Sequence, residues 1–370
     1  MTTLSRAEIG VIIPAYNAEK YLPGLINSIH SQTMQDFLVI AVDDCSTDST
    51  SDILQNWASR DSRVVYLRQK ENSGLSSTRN VGLDYIRTHD LELNFICFID
   101  DDDRYQDYAL ETMLENMQEH NLDILFFSAE PEFESLELAS EFSQYKTYYT
   151  RKGVYDGIYR GPEIVLLMQG SDDFRPSACL QCFSKSFLME NDIRFLNGIL
   201  HEDNLFTFNC LLLAQRVACI ENKLYIRRIR HDSLMTKPIS WKNVEGYFYC
   251  GAESLYLLQN IVSKEDHRVF ASQTECNSIT GLVQSFFSSA LSYYSHLSDA
   301  ERQIIDEAFR NHANCADNTL FASVVAGPYR QSIEEYQIGV ERLRADFENS
   351  WSYKLGRMLT AIPRKLLSRR

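Results

Sequence analysis

Residues 95–103 read FICFIDDDD, an apolar run that ends in four consecutive aspartates. A short run rich in β-branched and aromatic residues is typical of a fully buried strand. Similar apolar runs lie at residues 9–13, 37–42, 64–67 and 124–127. Segments with the apolar spacing of helices separate them, at residues 21–30, 49–57, 75–86 and 108–117. This alternation predicts an α/β fold, with a mainly parallel sheet flanked by helices on both faces.

The composition indicates a folded protein with an acidic surface. The chain has 370 residues, of which 44% are hydrophobic, and a formal net charge of −15. Its length suits two or three domains, and its charge disfavours nucleic acid as a partner. We expect a cytoplasmic protein, because no apolar run has the length of a membrane span and no secretory signal is evident. Nine cysteines, an odd number, indicate reduced and mostly buried thiols.

The period of the apolar residues changes near Pro238. From Trp241 onward they recur at helical intervals, and further helices are predicted at residues 277–295, 299–311 and 331–348. We therefore expect an α/β domain over residues 1–237, a helical region over residues 238–350 and a tail over residues 351–370.

The tail combines positive charge with an apolar stripe. Its basic residues, with no acid among them, are Lys354, Arg357, Arg364, Lys365, Arg369 and Arg370. Apolar residues from Trp351 to Leu366 fall at helical intervals, and a basic amphipathic helix suits the surface of an anionic membrane. We expect peripheral membrane attachment through this tail, and a helix that docks on the acidic body is the alternative.

Acidic residues gather where predicted strands end, which is where open parallel sheets bind ligands. Residues 100–103 are all aspartate, and a divalent ion such as Mg²⁺ or Mn²⁺ would compensate their crowded charge. Asp43 and Asp44 end another strand, where a carboxylate would accept from the N–H groups of a base such as uracil. The structural alternatives are a solvated acidic turn and a cap of the following helix.

Three later segments add further charged side chains. In residues 72–82, Gly74 precedes a predicted helix, and the free N–H groups at the start of that helix would receive a phosphate. Arg79 would add a bidentate contact to a diphosphate. The alternative is that Arg79 lies at the surface. Residues 201–203, HED, supply a candidate general base or an acidic first helical turn. Residues 227–231, RRIRH, would neutralise a diphosphate or pair with surface carboxylates.

Read together, these segments resemble the family 2 glycosyltransferases, which have the Rossmann-like GT-A fold. The matching strings are IIPAYN (12–17), VDDCSTDST (42–50), ENSGLSSTRNVGL (71–83), FICFIDDDDR (95–104), IRFLNGILHEDNLF (193–206) and YIRRIRHDSL (225–234). The resemblance covers about residues 8–235. It implies a nucleotide-binding half at residues 1–128 and an acceptor-side half at residues 129–237 of a catalytic domain.

The resemblance also implies roles for individual residues. Those assigned to the nucleotide sugar are Pro14, Tyr16, Asn17, Asp43, Asp44, Asn72, Arg79, Asp100, Asp101, Asp103, Arg228 and Ser233. Those assigned to the metal are Asp102, Asp100 and His231. Asp203 matches the catalytic base and Glu202 its partner. Asp101 departs from the family pattern, which usually has a small residue at that position.

The resemblance implies an inverting glycosyltransferase that uses a nucleotide sugar, a UDP-sugar above all, and Mn²⁺ or Mg²⁺. Asp203 would deprotonate a hydroxyl of a glycan or lipid-linked acceptor in the assembly of a bacterial surface polysaccharide. The expected location is the cytoplasmic face of the inner membrane, and oligomers are left open. The alternatives are a sugar-nucleotide nucleotidyltransferase and a non-catalytic nucleotide-sugar-binding protein.

Overall fold

The computed structural model describes residues 6–89, 91–231, 233, 236–263 and 270–310. Among these, residues 6–198 and 202–238 form one compact unit. Residues 199–201 group instead with those from 239 onward in a second compact unit. We call them the α/β unit and the helical unit.

One sheet of eight strands, counted over the described residues, organises the α/β unit. Its strands are β1 (Ile9–Ala15), β2 (Phe37–Asp43), β3 (Val64–Arg68), β4 (Phe95–Phe98), β5 (Arg104–Tyr105), β6 (Ile124–Phe133), β7 (Gln181–Ser184) and β8 (Val217–Ile229). They lie in the order β3-β2-β1-β4-β7-β6-β8-β5. The pairs β3–β2, β2–β1, β1–β4 and β6–β8 are parallel, and β4–β7, β7–β6 and β8–β5 are antiparallel. The sheet is therefore mixed, with a parallel first half as predicted.

Helices cover the sheet. They are α1 (Leu22–His30), α2 (Thr50–Arg60), α3 (Leu75–Thr88), α4 (Ala109–Glu119), α5 (Leu136–Glu141), α6 (Tyr145–Tyr148), α7 (Gly161–Gly170), α8 (Lys185–Glu190) and α9 (Glu202–Leu213). Every residue of β1 and β2 is buried, because both faces of the sheet are covered. This explains why these strands read as continuous apolar runs. The five strands and four helices predicted within residues 1–128 are confirmed.

The strand directions decide where polar side chains collect. β1, β2, β4, β6 and β8 all run the same way, because β7 is antiparallel to both of its neighbours. Their carboxyl ends therefore meet at one edge of the sheet. Asp44 follows β2, the four aspartates follow β4, and the basic residues 227–231 lie at the end of β8.

The helical unit contains α10 (Trp241–Ser263), α11 (Gln273–His296) and α12 (Asp299–Arg310). The rings of Phe248, Phe287 and Phe309 pack together in its core. The helices predicted at residues 277–295 and 299–311 are present. The helix predicted at residues 331–348 and the tail at residues 351–370 lie outside the described residues. Within the described part of the chain, no helix combines the length and hydropathy of a membrane span.

Candidate active site

A cavity of about 450 Å³ opens at the carboxyl edge of the sheet. The residues assigned from the sequence that line it are Pro14, Tyr16, Asn17, Asp44, Asn72, Asp100, Asp101, Asp102 and Ser233. Arg227, Arg230 and Lys237 also line it, although they were not among the assigned residues. The cavity thus places acidic, basic and aromatic side chains around one volume.

Asp44 organises the loop that forms one wall of the cavity. Its carboxylate accepts hydrogen bonds from the backbone N–H groups of Ser73 and Gly74, both at 2.8 Å, and from Nε2 of Gln69 at 2.7 Å. The loop before α3 is therefore tied to the end of β2. Asp43 is fully buried, accepts from the backbone N–H of Ser46 and does not line the cavity. The structure thus gives Asp43 a structural contact in place of the assigned ligand contact.

Tyr16 and Asn17 form the wall that follows β1. The Tyr16 side chain is 47% exposed and presents a flat apolar surface at the cavity. Asn17 adopts the left-handed region, with φ of 51°, which asparagine tolerates better than most residues. Its Oδ1 accepts from the backbone N–H of Thr47 at 2.8 Å, which joins the loops after β1 and β2.

Two of the four consecutive aspartates are held by buried cations. Asp100 accepts from Nη2 of Arg79 at 2.9 Å and from Nη1 of Arg227 at 2.7 Å. Burial alone would raise the pKa of Asp100, but these two arginines hold it well below its usual range. Asp103 is buried and accepts from the Tyr225 hydroxyl at 2.6 Å and from Arg227 at 2.8 Å. Asp103 does not line the cavity, in contrast to the assignment that it faces the donor sugar.

The other two aspartates fit a divalent ion. Asp101 accepts from the backbone N–H of Tyr16 at 2.9 Å through one oxygen, and Asp102 from Nε of Arg230 at 2.6 Å through one oxygen. Among the described residues, the second oxygen of each carboxylate has no hydrogen-bond partner. Burial and repulsion from Asp102 raise the pKa of Asp101 well above its usual value. Mg²⁺ often binds one or two carboxylates together with substrate phosphates.

The assigned metal trio of Asp100, Asp102 and His231 is not assembled. No group of three potential His, Cys, Asp or Glu ligands occurs among the described residues. Both oxygens of Asp100 are engaged by arginines, and His231 is exposed and does not line the cavity. Asp101 and Asp102 line the cavity, and each keeps one oxygen without a hydrogen-bond partner among the described residues.

The arginines of β8 divide between two sides of the strand. Neighbouring residues in a strand point to opposite faces. Arg227 contacts Asp100 and lines the cavity, whereas Arg228 pairs with Glu132 at 3.2 Å and lies over the ring of Tyr21. Arg228 lines a separate surface cavity, whereas Arg227 lines the cavity at the carboxyl edge of the sheet. The alternation of strand residues is the sequence signal that distinguishes the two.

Arg79 lies beneath the cavity and joins its acidic groups. The side chain is 1% exposed, so it is neither a surface arginine nor exposed to a diphosphate. Its Nη1 donates to Glu202 at 3.0 Å and to Asp203 at 2.9 Å, while Nη2 donates to Asp100. Burial would lower the pKa of Arg79, but the carboxylates raise it well above its usual value. One charged guanidinium therefore connects the end of β4 to the start of α9.

Glu202 and Asp203 occupy the first turn of α9, where the helix dipole favours carboxylates. The Asp203 side chain is 22% exposed and that of Glu202 is 8% exposed. Burial raises the pKa of Asp203 against the attraction of Arg79. Burial and repulsion from Asp203 raise the pKa of Glu202 to about 7. Asp203 does not line the cavity. The guanidinium of Arg79 bridges it to Asp100, which lines the cavity. A partly exposed carboxylate with a raised pKa has the properties of a general base.

Comparison with solved structures defines the fold. The fold resembles the crystal structure of Staphylococcus aureus TarS 1–349 in complex with UDP-GlcNAc, with a TM-score of 0.61. The two are 21% identical, and the match covers 94% of this chain and 92% of that one. The fold is therefore the GT-A fold. Residues 10–170 match the family model described as Glycosyl transferase family 2. This region, which is less than half of the chain, is therefore similar to glycosyl transferase family 2.

Several curated bacterial glycosyltransferases are similar in sequence. GlyA and GlyG of Streptococcus pneumoniae serotype 4 are 29% identical over 235 residues and 28% identical over 237 residues. These matches cover 61% and 63% of this chain, and 31% and 75% of the relatives. TarS of S. aureus, a poly(ribitol-phosphate) beta-N-acetylglucosaminyltransferase, is 28% identical over 223 residues, which are 59% of this chain and 35% of TarS. The chain thus spans about a third of the length of GlyA and TarS.

The contacts of Arg79 predict a pH-dependent loss of stability in Arg79→Met. Breaking a buried ion pair from one side lowers the free energy of unfolding by about 3–5 kcal/mol. Because the pKa of Glu202 is raised from 4.5 to about 7, the folded state binds more protons than the unfolded state between these values. The contribution of Glu202 to the free energy of unfolding therefore falls as the pH rises between these two values.

Arg79 attracts the Glu202 carboxylate and so opposes the rise in its pKa. In Arg79→Met the pKa of Glu202 should rise further, so the loss of free energy of unfolding should be larger at about pH 8 than at about pH 5. Urea unfolding at both pH values measures it. Arg87→Met is the matched control on the same helix, since Arg87 is 39% exposed and pairs with Asp192. The control should stay within about 0.5 kcal/mol of the wild type. Equal losses for Arg79→Met at the two pH values would contradict this account.

Proposed function

We propose that this chain transfers a sugar from a nucleotide-sugar donor to a hydroxyl group of an acceptor, with inversion at the anomeric carbon. The observation that carries the proposal is the bridge made by Arg79. It joins Asp100, which lines the cavity, to Asp203, the candidate base. A donor site and a proton acceptor are thereby held in one rigid arrangement, as a displacement reaction requires.

The donor proposed for the cavity is a UDP-sugar. The TarS structure matched above is a complex with UDP-GlcNAc, which supports this class of donor. Tyr16 offers a surface on which a base would stack, and Asp44 lies on the wall of the same cavity. Arg230 and Lys237 line the cavity and would hold the diphosphate by charge.

The proposed chemistry is a single displacement. Asp203 removes the proton of an acceptor hydroxyl as its oxygen attacks the anomeric carbon, and the bond from that carbon to the nucleoside diphosphate breaks. Arg227 and Arg230 line the cavity and would stabilise negative charge as it grows on the leaving diphosphate. A divalent ion held by Asp101 and Asp102 would supply further electrostatic stabilisation of that leaving group.

The acceptor proposed is a glycan or a lipid-linked glycan of a bacterial surface polysaccharide. The support is the name of TarS, which acts on a poly(ribitol-phosphate). Attachment of this chain to the cytoplasmic face of the inner membrane is part of the same proposal. It rests on the sequence of the tail at residues 351–370. A nucleotidyltransferase is disfavoured by the match of residues 10–170 to glycosyl transferase family 2.

Asp203→Asn should reduce turnover by about 10²–10⁴, the range for loss of a general base. Asparagine keeps the size of the side chain, so UDP binding should be unchanged. Release of UDP from UDP-GlcNAc measures turnover, and calorimetric titration with UDP measures binding. Asp52→Asn changes an exposed acid on α2 and should leave both quantities at the wild-type level. Full turnover by Asp203→Asn would refute the role of Asp203.

Binding of UDP should depend on a divalent ion. UDP with Mn²⁺ should raise the melting temperature more than UDP with a chelator, because a ligand stabilises the folded state according to its affinity. Asp102→Asn should remove most of the difference between the two conditions. Thermal-shift measurements with UDP, Mn²⁺ and each variant test this. An identical shift with chelator and with Mn²⁺ would show that the carboxylates bind no ion in the complex.

A further inference from the structure

Two arginines of the basic segment at the end of β8 hold the same residue of the acidic segment. Nε of Arg228 donates to the backbone carbonyl oxygen of Asp102 at 2.9 Å, and Nε of Arg230 donates to the Asp102 carboxylate at 2.6 Å. The backbone N–H of Arg228 also donates to Asp103 at 2.7 Å. These contacts fix both the backbone and the side chain of Asp102. All of these residues belong to the α/β unit.

The two guanidinium groups meet at the ring of Tyr21, in the same unit. The Cζ atoms of Arg228 and Arg230 lie over this ring, 5.4 Å and 4.9 Å from its centroid. A guanidinium within about 6 Å of a ring centroid is attracted to the negative face of the ring. The attraction is stronger where the cation is shielded from water, and the two arginine side chains are 19% and 23% exposed. Tyr21 therefore contacts both of the side chains that hold Asp102.

The hydroxyl of Tyr21 has a different partner from the ring. Nζ of Lys20 donates to the hydroxyl at 3.3 Å and pairs with Glu134 at 3.1 Å. Lys20 is exposed and does not line the cavity proposed for the donor. The described contacts that lead from Tyr21 to Asp102 are made by the ring, so replacement by phenylalanine separates the two parts of the side chain.

We propose that Tyr21 is a positioning residue that holds Arg228 and Arg230 against Asp102 and thereby orders the diphosphate end of the donor cavity. This inference rests on the donor site of the proposed function and adds a residue to it. Tyr21 does not line that cavity, whereas Arg230 and Asp102 do, so the effect of Tyr21 on a bound donor passes through them. Without the ring, the arginine side chain would be ordered only on binding, and that ordering would reduce the affinity for UDP.

The test compares UDP binding by Tyr21→Leu and Tyr21→Phe in the full chain with Mn²⁺ present. Leucine removes the aromatic face, whereas phenylalanine keeps it and removes only the hydroxyl. The Kd for UDP should rise by about 10-fold in Tyr21→Leu and stay at the wild-type value in Tyr21→Phe. Calorimetric titration gives the Kd and also the number of binding sites, so a loss of folded protein is counted separately. If Tyr21→Leu does not fold, Tyr21→Met decides the comparison.

Tyr108→Leu is the matched control. Tyr21 immediately precedes α1 and Tyr108 immediately precedes α4, and neither side chain makes a capping hydrogen bond to its helix. Tyr108 is exposed and does not line the donor cavity. Its replacement should leave the Kd for UDP unchanged. An equal rise in Tyr108→Leu would contradict the inference, because the effect would then not depend on the contacts of the Tyr21 ring.

A double-mutant cycle measures whether Tyr21 acts through Arg230. Arg230→Gln should itself raise the Kd for UDP, and adding Tyr21→Leu should then raise it by less than about 3-fold. A ring that only stabilises the fold would have the same effect in both backgrounds. The full 10-fold rise in the Arg230→Gln background would therefore overturn the inference. A wild-type Kd in Tyr21→Leu, or an equal rise in Tyr21→Phe, would overturn it as well.

The same measurements distinguish this inference from the proposed function. If the wild type binds UDP but transfers no sugar, the proposed reaction fails and the Kd values still decide the role of Tyr21. If the wild type does not bind UDP, both the donor site and this inference are refuted. Sugar transfer by the wild type together with an unchanged Kd in Tyr21→Leu would refute this inference alone.

Discussion

The guanidinium of Arg79 is the interaction on which the site depends. It is buried, permanently charged and shared among Asp100, Glu202 and Asp203. Three carboxylates so close together repel one another, and burial adds to the cost of their charge. A buried cation offsets both effects and holds the carboxylates at fixed positions. Because Asp100 follows β4 and Asp203 lies in the first turn of α9, this single side chain joins two acidic segments of the α/β unit.

The rest of the site follows from strand direction. Parallel strands bring their carboxyl ends to one edge, so the segments after β1, β2, β4 and β8 meet there. The acidic segment after β4 and the basic segment at the end of β8 then face each other. Arg227 holds Asp100 and Asp103, and Arg230 holds Asp102. Asp101 has no arginine among its described hydrogen-bond partners.

The early part of the chain could be predicted because its strands are buried on both faces and therefore read as continuous apolar runs. The positions of Asp44 and Asp100 at the cavity followed from the same topology. The burial of Arg79 could not be predicted, because its partners Glu202 and Asp203 lie 123 and 124 residues away. Local spacing carries no signal for such a contact. Arg227 and Arg228 lie on opposite sides of β8, as the alternation of residues along a strand predicts, and only Arg227 lines the cavity.

The account requires that Arg79 sets the ionisation of Asp203. The pH dependence of kcat in Arg79→Gln, compared with the wild type, measures this most directly. Arg79 lowers the pKa of Asp203 against burial, so its removal should move the acid limb of the profile to higher pH. An active Arg79→Gln enzyme whose acid limb coincides with that of the wild type would contradict the coupling between the two residues.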